Sequence, residues 1–79
     1  MSKQKIEFEK EINECLQKYE SKKSKYSETW KEMDTIDLFS RLWEEIEGLE
    51  KANNDKEIND ELTNIINVCL MIKSRLKNE

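Results

Sequence analysis

Two short stretches of this chain hold enough acidic side chains, close enough together, to do chemistry. Glu44, Glu45 and Glu47 fall within the text LWEEIEGLE, and Asp60 and Glu61 follow after a polar turn. If the two stretches sit on antiparallel helices, their carboxylates face one another. That is what a magnesium ion requires, because it is hard and takes oxygen ligands in octahedral geometry. Glutamates flanking an apolar stripe have a plainer reading as solvated side chains. The chain has no histidine. A hydroxyl or thiol nucleophile therefore lacks an imidazole base, and imidazole zinc sites are excluded. Chemistry falls to carboxylates, lysines or a metal held by carboxylates. Amid the glutamates stands Gly48, the only glycine of a chain without proline. A glycine inside a helix costs roughly 0.5–1 kcal/mol relative to alanine.

Three helical segments must position these groups. The first runs from about Lys3 to Lys23, within an N-terminal segment 1–24, with Phe8, Ile12, Cys15, Leu16 and Tyr19 on one stripe of helical period. Residues 25–34 lose that period and read as a loop or short turn, with Tyr26 and Trp30 in it. A helical hairpin spans 35–77. Asp34 or Thr35 caps its first helix, Asp37 sits favourably in the first turn, and Ile36, Phe39, Leu42, Trp43, Ile46 and Leu49 form the apolar face. Asn53-Asn54-Asp55 is the turn, and Asn54 with Glu57 resembles a capping box. The last helix places Ile58, Leu62, Ile65, Ile66, Cys69, Ile72 and Leu76 on one face. From Ile65 to Ile72 it is apolar nearly all round, apart from Asn67.

The expected fold is therefore all-α, a single domain of three helices over residues 1–79. Charged residues make up 41% of the chain and hydrophobic ones 35%, so a core forms only if apolar side chains are concentrated on helix faces. A chain of 79 residues buries a limited share of its surface. With the all-round apolar run, this predicts a homo-oligomer, dimer or tetramer, completing a four-helix-type bundle. Cys15 and Cys69 are too few for a disulfide framework and read as reduced core thiols. No apolar run approaches the roughly 18 residues of a membrane span, and the polar start MSKQKIEFEKE is unlike a signal peptide. The expected setting is cytoplasmic. A net charge of −4 argues against a nucleic-acid backbone as partner.

The text SRLWEEIEGLEKA, a short polar turn and then NDELTNIINVCLMI resembles the MazG-like, all-α nucleoside triphosphate pyrophosphohydrolases. KYSETWKEMD, ahead of the hairpin, resembles a lysine-tyrosine and tryptophan segment of small MazG-like proteins. The likeness spans about Lys25 to Leu76. It implies a Glu-Glu-x-x-Glu motif on one helix and Glu-x-x-Asp on the next. In such enzymes these carboxylates hold the magnesium that binds the triphosphate and activates the water releasing pyrophosphate. Glu44 and Glu45 match the opening pair, Glu45 being the ligand of the two, and Glu61 matches the first ligand of the second motif. The resemblance thus assigns metal contact to Glu44, Glu45 and Glu61, and catalysis to Glu45 and Glu61. Gly48 and Asn64 stand where the other two carboxylates are expected. Asn67 and Cys69 fall where small members often carry Asn and Cys.

This pairing of losses suggests a dismantled magnesium site. Compensation by Glu47 is disfavoured, because a helical wheel puts it on the other flank of the apolar face from Glu45 and Gly48. A base could stack on Tyr26 and Trp30 near Lys25 and Lys31. With Asn64 and Asn67, the candidate substrate contacts are then Lys25, Trp30, Lys31, Asn64 and Asn67. A plainer role for Trp30 is to cap the core at a helix start. Three readings follow. The chain is a nucleotide-binding relative with little or no catalysis, an active magnesium-dependent pyrophosphohydrolase with a reduced site, or a small helical module that docks a protein partner.

Overall fold

The computed structural model describes residues 2–21 and 29–77. Among them the protein is all-α, without strands. Helix α1 spans Lys3–Glu20, a 3-10 turn covers Thr29–Glu32, and helices α2 and α3 span Thr35–Lys51 and Asp55–Lys77. Ser2 starts α1 by accepting a hydrogen bond at Oγ from the Lys5 backbone N–H, at 3.2 Å. The helix stops earlier than its expected end near Lys23. Ser21 turns extended and its N–H bonds back to the carbonyls of Gln17 and Lys18. Lys25 and Tyr26 lie outside the described residues.

Asp34 takes the N-cap backbone conformation of α2, without a side-chain cap bond, and the Leu38 N–H donates to its carbonyl at 3.1 Å. The turn into α3 is closed by two reciprocal bonds. Asn54 Oδ1 accepts from the Glu57 N–H at 2.9 Å, and Glu57 Oε2 accepts from the Asn53 N–H at 2.8 Å. This is the expected box with its return bond displaced by one residue. So short a connection forces a hairpin. Gly48, late in α2, faces Glu61, early in α3, while Leu38, early in α2, packs with Val68, Met71 and Ile72, late in α3.

Helix α3 is the central element, contacting α2 on one side and α1 on the other. That double contact accounts for much of the apolar run Ile65–Ile72. The core is small: Leu38, Val68, Met71 and Ile72, with Tyr19, Trp30, Met33 and Leu42 packed against it. Cys15 is buried between α1 and α3, and Cys69 is half-buried; both are free thiols.

The expected apolar face of α2 needs correction. Ile36 is 75% exposed, Phe39 46% and Trp43 65%, while Leu38 and Glu45 are buried. Leu42, Ile46 and Leu49 are half-buried, as a helix turned toward the line Leu38–Leu42–Glu45–Leu49 requires. On α1, likewise, Phe8, Ile12 and Leu16 are exposed, and on α3 Ile58, Leu62, Ile66 and Leu76 are. No helix among the described residues is long and apolar enough to cross a membrane.

Candidate functional site

Helix α2 meets α3 along Leu38, Leu42, Glu45 and Leu49, so one carboxylate goes inward while Ile36, Phe39 and Trp43 face out. Glu45 is only 3% exposed. Burying a carboxylate costs several kcal/mol before its partners repay it. Solvating Trp43 and Ile36 instead forgoes roughly 1.5–3 kcal/mol for each large apolar side chain. Local rules broken together at one place are the mark of a functional or partner-dependent surface.

The seam between the helices has two levels. At one, Gly48 faces Glu61: a Cβ built on the glycine lies 2.9 Å from the Glu61 Cδ, 2.9 Å from Oε2 and 3.0 Å from Oε1. A real Cβ essentially never approaches within 3.0 Å, so one here would make the flexible carboxyl end of Glu61 shift. Glycine therefore makes a niche for the Glu61 carboxyl group against the α2 backbone. One turn away, the antiparallel register sets Glu45 level with Asn64, which is half-buried. Each level thus has one carboxylate and one residue without charge. The single glycine has a local reason for its place, which the wheel alone does not reveal.

The remaining acidic residues stand apart. Glu44 is exposed and paired with Arg41 at 3.2 Å. Glu47 and Asp60 are also exposed. Among the described residues no group of three acidic or thiol side chains is placed to hold a metal ion. The donor set does not fit a resident magnesium site, because Gly48 and Asn64 bring no carboxylate to the seam and Glu44 points elsewhere. Glu45 and Glu61 are the acidic groups left in it.

The other candidate residues gather on the α1 side of α3. Trp30 is half-buried on the core, and its Nε1–H donates to Tyr19 Oη at 2.6 Å. Lys31 is exposed, and its carbonyl accepts from the Arg75 guanidinium, which ties the 3-10 turn to α3. Asn67, 6% exposed, donates from Nδ2 to the Cys15 carbonyl at 2.9 Å. That bond fixes the amide orientation, since only the NH2 side can face a carbonyl. The opposite atom, Oδ1, is buried without a hydrogen-bond partner among the described residues. Between α1, the 3-10 turn and α3 lies a cavity of about 170 Å³, lined by Tyr19, Trp30, Asn67, Met71 and Ser74 among others. This is smaller than the roughly 300 Å³ and above that drug-sized ligands occupy, and it suits a single ring.

Tyr19 was read from the sequence as core and carries in addition the hydrogen bond that fixes Trp30. Thr63, absent from the sequence reading, hydrogen-bonds the Cys15 thiol. Burial pushes that thiol above its ordinary value of 9.0, and Thr63 opposes the shift. Neither pairing has a signal in spacing, since each joins residues far apart in the chain.

Comparison with protein-family models, with curated proteins and with solved structures finds no match to this chain.

Proposed function

We propose that the chain is a MazG-like nucleotide-binding protein, related to nucleoside triphosphate pyrophosphohydrolases, in which the metal site is reduced and binding outlasts catalysis. The observation that carries this reading is the seam itself. Helix α2 buries Glu45 and leaves Trp43 in solvent, and Gly48 yields its space to Glu61. One carboxylate at each of two successive levels between α2 and α3 supports descent from a carboxylate site.

Glu45 and Glu61 would meet a magnesium ion carried in with the triphosphate, the ion belonging to the substrate rather than to the protein. Two carboxylates hold such an ion weakly, because magnesium gives up its waters reluctantly. The cavity beside Trp30 and Asn67 supplies a place for the base. It lies on the α1 side of α3, with Asn67 six residues beyond Glu61, whereas Glu61 faces α2, so a bound nucleotide would reach around α3 from the cavity to the seam. Lys31, and Lys25 outside the described residues, would act on the phosphates as cations. The proposal includes self-association into a bundle of MazG type and a cytoplasmic setting.

The reading of an active enzyme asks two carboxylates to do the work of four. The reading of a protein-docking module draws on a different observation, the solvent-facing line Ile36–Phe39–Trp43. Calorimetry against a panel of nucleoside triphosphates, with and without magnesium, separates these. Magnesium-enhanced binding, weakened by Glu45→Gln, is expected. No heat with any nucleotide sets the proposal aside in favour of the docking module.

A further inference from the structure

We infer that the cavity between α1, the 3-10 turn and α3 is a pocket for one pyrimidine ring, read by the side-chain oxygen of Asn67. The inference rests on the nucleotide-binding reading above and narrows it to pyrimidine nucleotides. Size sets the first limit. The cavity holds about 170 Å³, and an apolar cavity of about 150 Å³ takes a benzene ring. One six-membered ring fits, and the two fused rings of a purine do not. Leu16, Leu70 and Met71 supply apolar walls, with the Tyr19 and Trp30 rings beside them. Aromatic walls suit a flat aromatic guest.

Polarity sets the second limit. Asn67 lines the cavity and is 6% exposed. Its Nδ2 donates to the Cys15 carbonyl at 2.9 Å, which leaves Oδ1 buried and without a hydrogen-bond partner among the described residues. An amide oxygen accepts and cannot donate. A buried acceptor left unmet is unfavourable, and a guest with an N–H group removes that penalty. The Trp30 indole N–H already donates to Tyr19 Oη at 2.6 Å. Because that oxygen accepts, the Tyr19 hydroxyl proton remains to be donated. The walls thus present one acceptor and one donor. Uracil carries its N3–H beside the O4 carbonyl, and cytosine carries its N4 amino group beside N3. Each therefore offers a donor and an acceptor on one edge, where a hydrocarbon ring offers neither.

Both polar walls are held before a ligand arrives. The Asn67 amide is tied to the α1 backbone, and Trp30 is tied to Tyr19 on the same helix. A base meets side chains already ordered by packing, which lowers the cost of binding it.

Nucleosides test the inference, because without phosphates they report on the cavity and not on the seam. Uridine, cytidine, 3-methyluridine and adenosine are titrated into isotope-labelled protein, and NMR follows the Trp30 indole N–H and the Asn67 side-chain amide. Uridine and cytidine are expected to shift both signals to saturation. 3-Methyluridine lacks the N–H and adenosine has two rings, so each is expected to bind about tenfold more weakly or worse. Leu70→Phe adds a ring at a solvent-facing position of the cavity wall and keeps Asn67. It should abolish the pyrimidine shifts, with circular dichroism checking that the variant stays helical. Asn67→Leu should lose the preference for uridine over 3-methyluridine. Equal binding of uridine and 3-methyluridine by the wild type, a preference for adenosine, or full pyrimidine binding by Leu70→Phe overturns the inference. Triphosphate binding in calorimetry with no pyrimidine nucleoside bound overturns it too, and leaves the nucleotide-binding reading standing. No binding of any nucleoside or triphosphate overturns both.

Discussion

Replacing Gly48 by alanine sets two effects of known sign against each other. Helix propensity gains roughly 0.5–1 kcal/mol, since Gly48 lies within α2. The new methyl group meets the Glu61 carboxyl group at 2.9–3.0 Å, where ordinary contact begins at 3.4 Å. Glu61 must then retreat by roughly 0.5 Å, and leaving its rotamer well costs about 0.5–1.5 kcal/mol. The net effect of Gly48→Ala in the wild type is therefore between a gain of about 0.5 kcal/mol and a loss of about 1 kcal/mol. In a Glu61→Ala background the obstruction is gone, and the same substitution should stabilise by about 0.5–1 kcal/mol. The double-mutant cycle thus has a coupling of about 1 kcal/mol. Urea denaturation followed by circular dichroism measures it, at one protein concentration because self-association shifts apparent stability. Equal stabilisation by Gly48→Ala in both backgrounds would refute the niche and return the glycine to an unexplained weak point.

Three further outcomes follow from other contacts. Asn54→Ala removes the cap of α3 and should cost about 0.5–2 kcal/mol, with Asp and Ser retaining most of it; thermal or urea unfolding reads this directly. Because burial raises the Cys15 thiol above 9.0, its contribution is present below pH 9 and is lost as pH rises from 9 through the higher folded value. Unfolding midpoints from pH 8 to 11 should thus fall more steeply in the wild type than in Cys15→Ala, and Cys15 should react with a thiol reagent more slowly than half-buried Cys69. Gly48→Glu with Asn64→Asp should give a larger magnesium-dependent rise in Tm than the wild type, and the two changes should not add independently if they meet one ion.

The hairpin was legible because its signals are local. Asn54 and Glu57 close a box three residues apart, and Lys51 to Asp55 leaves no room for anything but a tight turn. The rotation of α2 was not legible. A wheel places the larger apolar group inward, and Ile36, Phe39 and Trp43 outweigh a lone Leu38 between Asp37 and Phe39. That procedure assumes one buried face for each helix. It fails where a carboxylate takes an inner position and the apolar line is left facing outward. At the seam, the absence of charge at Gly48 and Asn64 is plain from the sequence, but the approach of Glu61 to Gly48 was not. A close approach between helices depends on register to within an ångström, which residue types alone do not carry. The Tyr19–Trp30 bond was hidden for a related reason, because the intervening segment gives no measure of how α1 is set against α3.

Release of pyrophosphate by the wild-type protein tests the central claim most directly. Each common nucleoside triphosphate is incubated with magnesium or with manganese, and pyrophosphate is measured beside a no-protein control. The account predicts release at or near that control for nucleotides that calorimetry shows to bind. Robust release, abolished by Glu45→Ala or Glu61→Ala, would contradict it and show that two carboxylates suffice for catalysis in this seam.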